Sequence, residues 1–298
     1  MAQQFPSVAL IGATGNVGKF ILKALQQAQP AFRTITLLAR SAKSASALQG
    51  PGIQIREVDY SSRASLVAAL QGVDAVVSAI GTHSVSDQEA IVDAAVEAGV
   101  RFFVPSQFGL ADTHPLLKRD FPIFADKNRV QAQLERYRAD GRLDYALVFV
   151  GLWLDWGRAR LWDGGERPIS LTTLESIGKA VVGVLEGKAG EGKTEVRIKD
   201  INLSQRRLYE LAAEVVGRDG WEVTTLDTAK AKAVASEKLA RGTATLDDIY
   251  AFVYRAATAE EYGQPWKPEE DDSERLGLRP WTEEDVKDLI RKIVGEEQ

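Results

Sequence analysis

Val8-Ala9-Leu10-Ile11-Gly12-Ala13-Thr14-Gly15-Asn16-Val17-Gly18-Lys19-Phe20-Ile21 is the stretch that decides the fold. Four consecutive apolar residues read as a strand buried on both faces, as parallel strands are. From Val17 onward, Phe20, Ile21, Ala24 and Leu25 recur at helical spacing. Between strand and helix stand three glycines. They permit a tight turn and a close backbone approach, while the helix N-terminus offers free amides and a positive dipole end. That geometry suits the diphosphate of a dinucleotide. A glycine string of this length is common by itself, so the strand before it and the helix after it carry the assignment.

Working outward, 34–39 is a second strand that ends at Arg40. An acidic residue there would accept hydrogen bonds from the adenosine ribose and select NAD. Arg40, Ser41 and Lys43 suit the 2′-phosphate of NADP instead, through charge and the bidentate geometry of the guanidinium. A third strand covers 53–59, with Asp59 at its end. The run 75–81 is a fourth, and Ser78 and Ala79 near its end are small enough to let a cofactor cross the sheet edge. A helix over 86–98 stops at Gly99, and a fifth strand, 101–104, runs into Pro105-Ser106-Gln107-Phe108-Gly109. Repeated strand–helix alternation predicts an α/β fold with a doubly wound parallel sheet of Rossmann type. Chemistry is then sought beyond the carboxyl ends of the strands.

The pattern over 123–139 is helical, with Ile123, Phe124, Val130, Leu134 and Tyr137 on one stripe and Lys127 near its middle. Such a lysine either snorkels to water or faces a cleft where its ammonium meets a ligand. A sixth strand is expected over 144–150. Beyond it, Trp153, Trp156 and Trp162 alternate with Arg158 and Arg160. They suit stacking on a flat aromatic substrate, or plugging a joint between two lobes. Phe108, Trp153 and Trp156 are the candidate substrate contacts. His114, on the loop before the lysine helix, is an alternative acid. Strict alternation is lost after Trp162. The expected division is a dinucleotide-binding domain over 1–152 and a smaller mixed α/β substrate lobe over 153–298, partly interleaved with it. Helices are expected over 174–185, after the cap Ser204 and after the cap Thr282, with Asp285 in the reciprocal capping position. The acidic run 269–272 reads as a solvated turn.

Composition narrows the function. The 298 residues carry a formal charge of −5, which argues against a partner such as nucleic acid. No cysteine excludes disulfides and thiolate-bound metals, and two histidines leave too few ligands for zinc, so no metal is expected. No apolar run approaches the ~20 residues of a membrane span, so the expectation is a cytoplasmic protein with no membrane partner, monomeric or a homodimer.

Gly12-x-x-Gly15-x-x-Gly18, Arg40, Phe103-Val104-Pro105-Ser106-Gln107-Phe108-Gly109, Phe124-Ala125-Asp126-Lys127 and Val150-Gly151-Leu152-Trp153 together resemble the NmrA-like and isoflavone-reductase-like branch of atypical short-chain dehydrogenases. The resemblance implies an NADPH-dependent reductase of small aromatic, phenolic or other secondary metabolites, or alternatively a redox sensor that binds the dinucleotide without turnover. It implies that Gly12, Thr14, Gly15, Asn16, Val17 and Gly18 cradle the diphosphate, that Arg40 and Lys43 hold the 2′-phosphate, and that Lys127 is catalytic. Two positions depart from the pattern. Gln107 replaces the usual glutamate, and Ile123 stands where a Tyr-x-x-x-Lys pair would place its tyrosine.

Overall fold

Six parallel strands form the central sheet: β1 (Ser7–Ile11), β2 (Thr34–Ala39), β3 (Ile53–Glu57), β4 (Ala75–Ser78), β5 (Phe102–Val104) and β6 (Asp144–Tyr145), ordered β3-β2-β1-β4-β5-β6. The computed structural model describes residues 5–155, 161–219, 221 and 223–296. Leu10 pairs with Leu37 on one side and Val77 on the other, so β1 sits inside the sheet. Its side chains divide with period two. Val8 and Leu10 enter one core, and Ala9 and Ile11 enter another on the opposite face. Apolar residues at every position are what a strand covered on both faces requires.

The first core is closed by α1 (Gly18–Gln27) and by α7 (Leu174–Leu185), which returns from much later in the chain to pack on α1. The contact is close because Gly178 has no side chain: a methyl group there would stand 2.5 Å from Phe20 O. The second core lies under α3 (Arg63–Leu70), α4 (Gln88–Glu97) and α6 (Ala125–Ala139). Between α1 and α3 comes the short α2 (Ala42–Ala45), and α5 (Pro115–Asp120) precedes α6.

The single strand expected over 144–150 is divided. After β6 the chain turns away from β5, and β7 (Leu147–Phe149) pairs in parallel with β11 (Glu195–Arg197). The apolar run could not disclose this, because either partner buries both faces. Next come β8 (Leu152–Trp153), β9 (Leu161–Trp162), β10 (Pro168–Thr172) and β12 (Ile201–Ser204). The remaining elements are α8 (Gln205–Val216), β13 (Thr225–Leu226), α9 (Thr228–Ala240), α10 (Leu246–Thr258) and α11 (Glu283–Glu296). They build a third core with Leu110, Leu117, Phe121 and Phe124 from the chain between β5 and α6. Phe121 meets Tyr262 edge-on, with ring centroids 4.9 Å apart, and Trp162 stacks on Tyr254 at 5.1 Å. Trp162 is therefore a packing residue of this core.

The acidic run is not a solvated turn. Asp272 is buried, its amide donates to Arg197 O at 2.7 Å, and it pairs with Lys193. Asp271 pairs with Lys199, and Glu270 with Arg197 at 2.7 Å. Three basic residues on and beside β11 tie the segment down along that strand. As expected, Thr282 N and Oγ1 each donate to Asp285 Oδ2 at 2.8 Å ahead of α11. No helix among the described residues is long and apolar enough to cross a membrane.

Gly178→Ala is expected to lower stability by about 1–3 kcal/mol, because its methyl group must push α7 off the α1 backbone. Denaturant unfolding checks this; a variant as stable as the parent would show that the helices do not meet so closely.

Candidate active site

The carboxyl ends of β1, β2, β4 and β5 lie along one edge of the sheet, and the candidate residues follow them. After β1, Gly12 adopts a positive φ of 80° and its carbonyl accepts from Gly15 N at 2.9 Å. The turn is closed from two sides. A methyl group on Gly12 would sit 2.4 Å from Ala79 O, and one on Gly18 would sit 2.0 Å from Gly12 O. Ala79 N donates to Ile11 O at 2.9 Å, fixing the end of β4 beside the turn. The helix that opens here has no side-chain cap at Val17 and no acid in its first turn. Its leading amides and positive dipole end are therefore available to an anion.

Arg40 follows β2 as an exposed guanidinium with no hydrogen bond or ion pair among the described residues. Its charge acts on Tyr60, whose hydroxyl donates to Leu38 O at 3.1 Å and which burial pushes up to about 12. Lys43 is exposed on α2. The nearby acid Glu57 is engaged, since its Oε2 accepts Ala42 N at 2.9 Å at the start of that helix. Ser78 is fully buried and its hydroxyl has no partner, while Ala79 is half-buried. An uncapped helix start, a cradle that any Cβ would fill and an unpaired guanidinium fit the diphosphate and 2′-phosphate of NADP.

The chain after β5 is held by groups the sequence did not announce. Gln88, buried at the start of α4, accepts Ser106 N at 2.8 Å through its Oε1, and Ser106 Oγ donates to Ile80 O at 2.8 Å. Gly109 O accepts from Val150 N at 2.9 Å and Gly151 N at 3.2 Å. Phe108 is buried in the first core, and its carbonyl accepts Trp153 Nε1 at 3.0 Å. Trp153 itself is half-buried. Trp156 lies outside the described residues. His114 is partly exposed, but its Nδ1 is buried without a partner.

Lys127 enters this edge from the first turn of α6, where a methyl group on Gly109 would stand 3.9 Å from its Nζ. It has no hydrogen bond or ion pair among the described residues. Burial of its ammonium pushes the pKa below the ordinary lysine value, and the charge of Asp112 opposes this. Asp112 is the carboxylate that sequence reasoning missed. It is fully buried and bonded to Gln107 Nε2 at 3.4 Å, and burial pushes it up to about 6 against the pull of Lys127 and Lys118. Its signal in the sequence was slight, a single acid between Glu97 and Asp120. A desolvated lysine near a buried carboxylate can donate a proton or stabilise a developing oxyanion when it is protonated.

The model of the NmrA-like family matches residues 6–153. An oxidoreductase (aprR) of Aspergillus flavus is 30% identical over 247 residues, 79% of this chain and 82% of that protein. Quinone oxidoreductase 2 of Escherichia coli is 29% identical over 245 residues, 78% of this chain and 81% of that protein. The leucoanthocyanidin reductase–NADPH complex from Vitis vinifera superposes with a TM-score of 0.76 at 20% identity, over 96% of this chain and 99% of that one. The two relatives and the superposed structure reach into both halves of the chain, whereas the family model ends at residue 153.

Asp112 gives a pH-dependent stability whose sign follows from its raised value. The folded protein holds this proton more tightly than the unfolded chain does. That contribution is complete below about pH 4 and is lost as pH rises through about 6. Relative to Asp112→Asn, the wild type should lose up to about 3 kcal/mol between those limits, read by denaturant unfolding at each pH. A constant difference would place the carboxyl in water.

Proposed function

The chain belongs to the NmrA-like family, and from that premise we propose that it is an NADPH-dependent reductase of a small aromatic or phenolic substrate, with Lys127 assisting the reduction. One observation carries the reading. A single edge of the sheet presents an uncapped helix N-terminus, an unpaired guanidinium and, two strands along, a desolvated lysine beside a buried carboxylate.

When bound, NADPH supplies a hydride to an electrophilic carbon or to a quinone ring. The amides of the turn through Thr14, Asn16, Val17 and Gly18 receive the diphosphate, and the absence of Cβ atoms at Gly12, Gly15 and Gly18 keeps the turn tight. Arg40, with Lys43 near it, holds the 2′-phosphate. Ser78 and Ala79 form the floor where β4 ends, and the free Ser78 hydroxyl is a donor there. Lys127 neutralises the charge that develops on the substrate oxygen and passes its proton to that atom. Trp153, anchored through its indole nitrogen, presents a flat face to an aromatic ring beside the Phe108 backbone. The names of the relatives, a quinone oxidoreductase and a reductase of a phenolic compound, support an oxygen-bearing aromatic substrate. Asp112 beside Lys127 favours an enzyme over a sensor, since a sensor has no use for a lysine held partly acidic.

Lys127→Met is expected to lower turnover about 100-fold or more while leaving NADPH affinity within about threefold. Absorbance at the NADPH band with a panel of quinones, enones and aromatic ketones reads the first, and fluorescence titration the second. Unchanged turnover would remove the lysine from the mechanism. Arg40→Ala should weaken NADPH binding by about 10–100-fold and leave NADH binding unaltered. Equal losses for both nucleotides would show that the guanidinium does not read the 2′-phosphate.

A further inference from the structure

A guanidinium that is to meet a phosphate needs a turn of fixed shape beneath it, and the turn at Arg40 is held from the neighbouring strand. β2 and β3 run in parallel with Ala39 opposite Glu57. Past that pair, Ala39 O accepts Val58 N at 2.9 Å, and Leu38 O accepts the Tyr60 hydroxyl at 3.1 Å. Glu57 then reaches across to α2, where its Oε2 accepts Ala42 N, the first amide of that helix, at 2.9 Å. Arg40 and Ser41 are thus a span of two residues whose ends, Ala39 O and Ala42 N, are both fixed to the end of β3. That end is itself tied down. The Arg56 guanidinium donates to Ala69 O at 2.8 Å and to Gln71 O at 3.0 Å, where α3 finishes.

The start of α2 is anchored across strands and not by its own residues. Ser41 occupies the N-cap with extended backbone, where a serine oxygen ordinarily accepts an amide of the first turn. Its side chain makes no such bond. A helix of four residues gains too little from internal bonds to hold its own shape. Glu57 supplies the anchor. The other acid at the end of β3 is engaged as well, since Asp59 Oδ1 accepts Ser61 N at 2.9 Å and Ser61 Oγ at 2.6 Å. Both carboxylates are held by hydrogen bonds, and neither forms an ion pair with Arg40 among the described residues.

We propose that Glu57 is a specificity-determining residue for the cofactor: by holding Ala42 N it fixes the Arg40-Ser41 span in the shape that presents the guanidinium and the serine hydroxyl to the 2′-phosphate of NADPH. The proposal rests on the reading of Arg40 as the 2′-phosphate contact. Glu57 is a positioning residue, acting through the backbone at 40–42. A turn that samples several shapes binds with an affinity reduced by the fraction of time it spends outside the competent one. A nucleotide without the 2′-phosphate does not draw on these two side chains, so its affinity is insensitive to that fraction. The negative charge of Glu57 works in the opposite sense by repelling the phosphate, and the bond must be separated from the charge.

Glu57→Gln and Glu57→Ala remove the same charge, and only the glutamine keeps an acceptor for Ala42 N. Fluorescence titration of both purified variants with NADPH and with NADH makes the comparison. Glu57→Ala is expected to bind NADPH about threefold to tenfold more weakly than Glu57→Gln, the effect of one lost cap, with NADH affinities of the two variants within about twofold. Equal NADPH affinities overturn the proposal. So does a loss shared equally by NADH, which would mark a general distortion of the adenosine site. Should Glu57→Ala fail to fold, Glu57→Met, of similar length and without an oxygen acceptor, takes its place in the comparison. A parent protein that binds NADH as tightly as NADPH contradicts the reading of Arg40 itself, and the proposal falls with it.

Discussion

Everything at the functional edge depends on how closely backbone meets backbone where β1 ends. Gly12 lies against the carbonyl of Ala79, and Gly18 lies against the carbonyl of Gly12. No side chain fits at either contact, and the backbone bonds from Gly15 N to Gly12 O and from Ala79 N to Ile11 O hold the turn in place. The same closeness puts the end of β4 beside the start of α1. It leaves a helix of ten residues whose N-terminus has neither a cap nor an acid of its own. In a chain with a net charge of −5, that is a local site for an anion in an acidic protein. Arg40 extends it, because Glu57, the acid that could have neutralised the guanidinium, is committed to the start of α2.

The fold was legible where local pattern and tertiary demand agree. β2 and α7 begin and end at the residues the pattern indicated, since each has a buried face with a clear period and a clear stop. Ser62, Ser204 and Thr282 cap helices as their side chains suggest. Legibility failed where a distant partner decides. The run 144–150 is apolar under either pairing, so its transfer from β5 to β11 left no trace in it. The acids at 270–272 look solvated until Lys193, Arg197 and Lys199 are brought to them. The helix expected to begin at 86 starts at Gln88, preceded by a 3-10 turn over 82–87.

The candidate site divides in the same way. Gly12, Gly15, Gly18 and Arg40 stand close together in sequence and announce themselves through turn geometry and charge. Lys127 showed through its place on an apolar stripe, which gave its position but not its surroundings. Asp112 did not show, and Gln107 showed only as a departure from the family pattern. Their meaning comes from a loop pinned by Gln88 and Ser106 at one end and by Val150 and Gly151 at the other. That folding removes Asp112 from water. A buried carboxylate, Asp112, stands five residues after Gln107, with the glutamine as its hydrogen-bond donor.

The most direct test of the central claim is a calorimetric titration of the purified protein with NADPH and with NADH. A bare helix start beside the Arg40 guanidinium should bind NADPH at least about tenfold more tightly than NADH, a difference of about 1.4 kcal/mol. Equal binding of the two would contradict the role given to Arg40, and no heat from either would contradict the account as a whole.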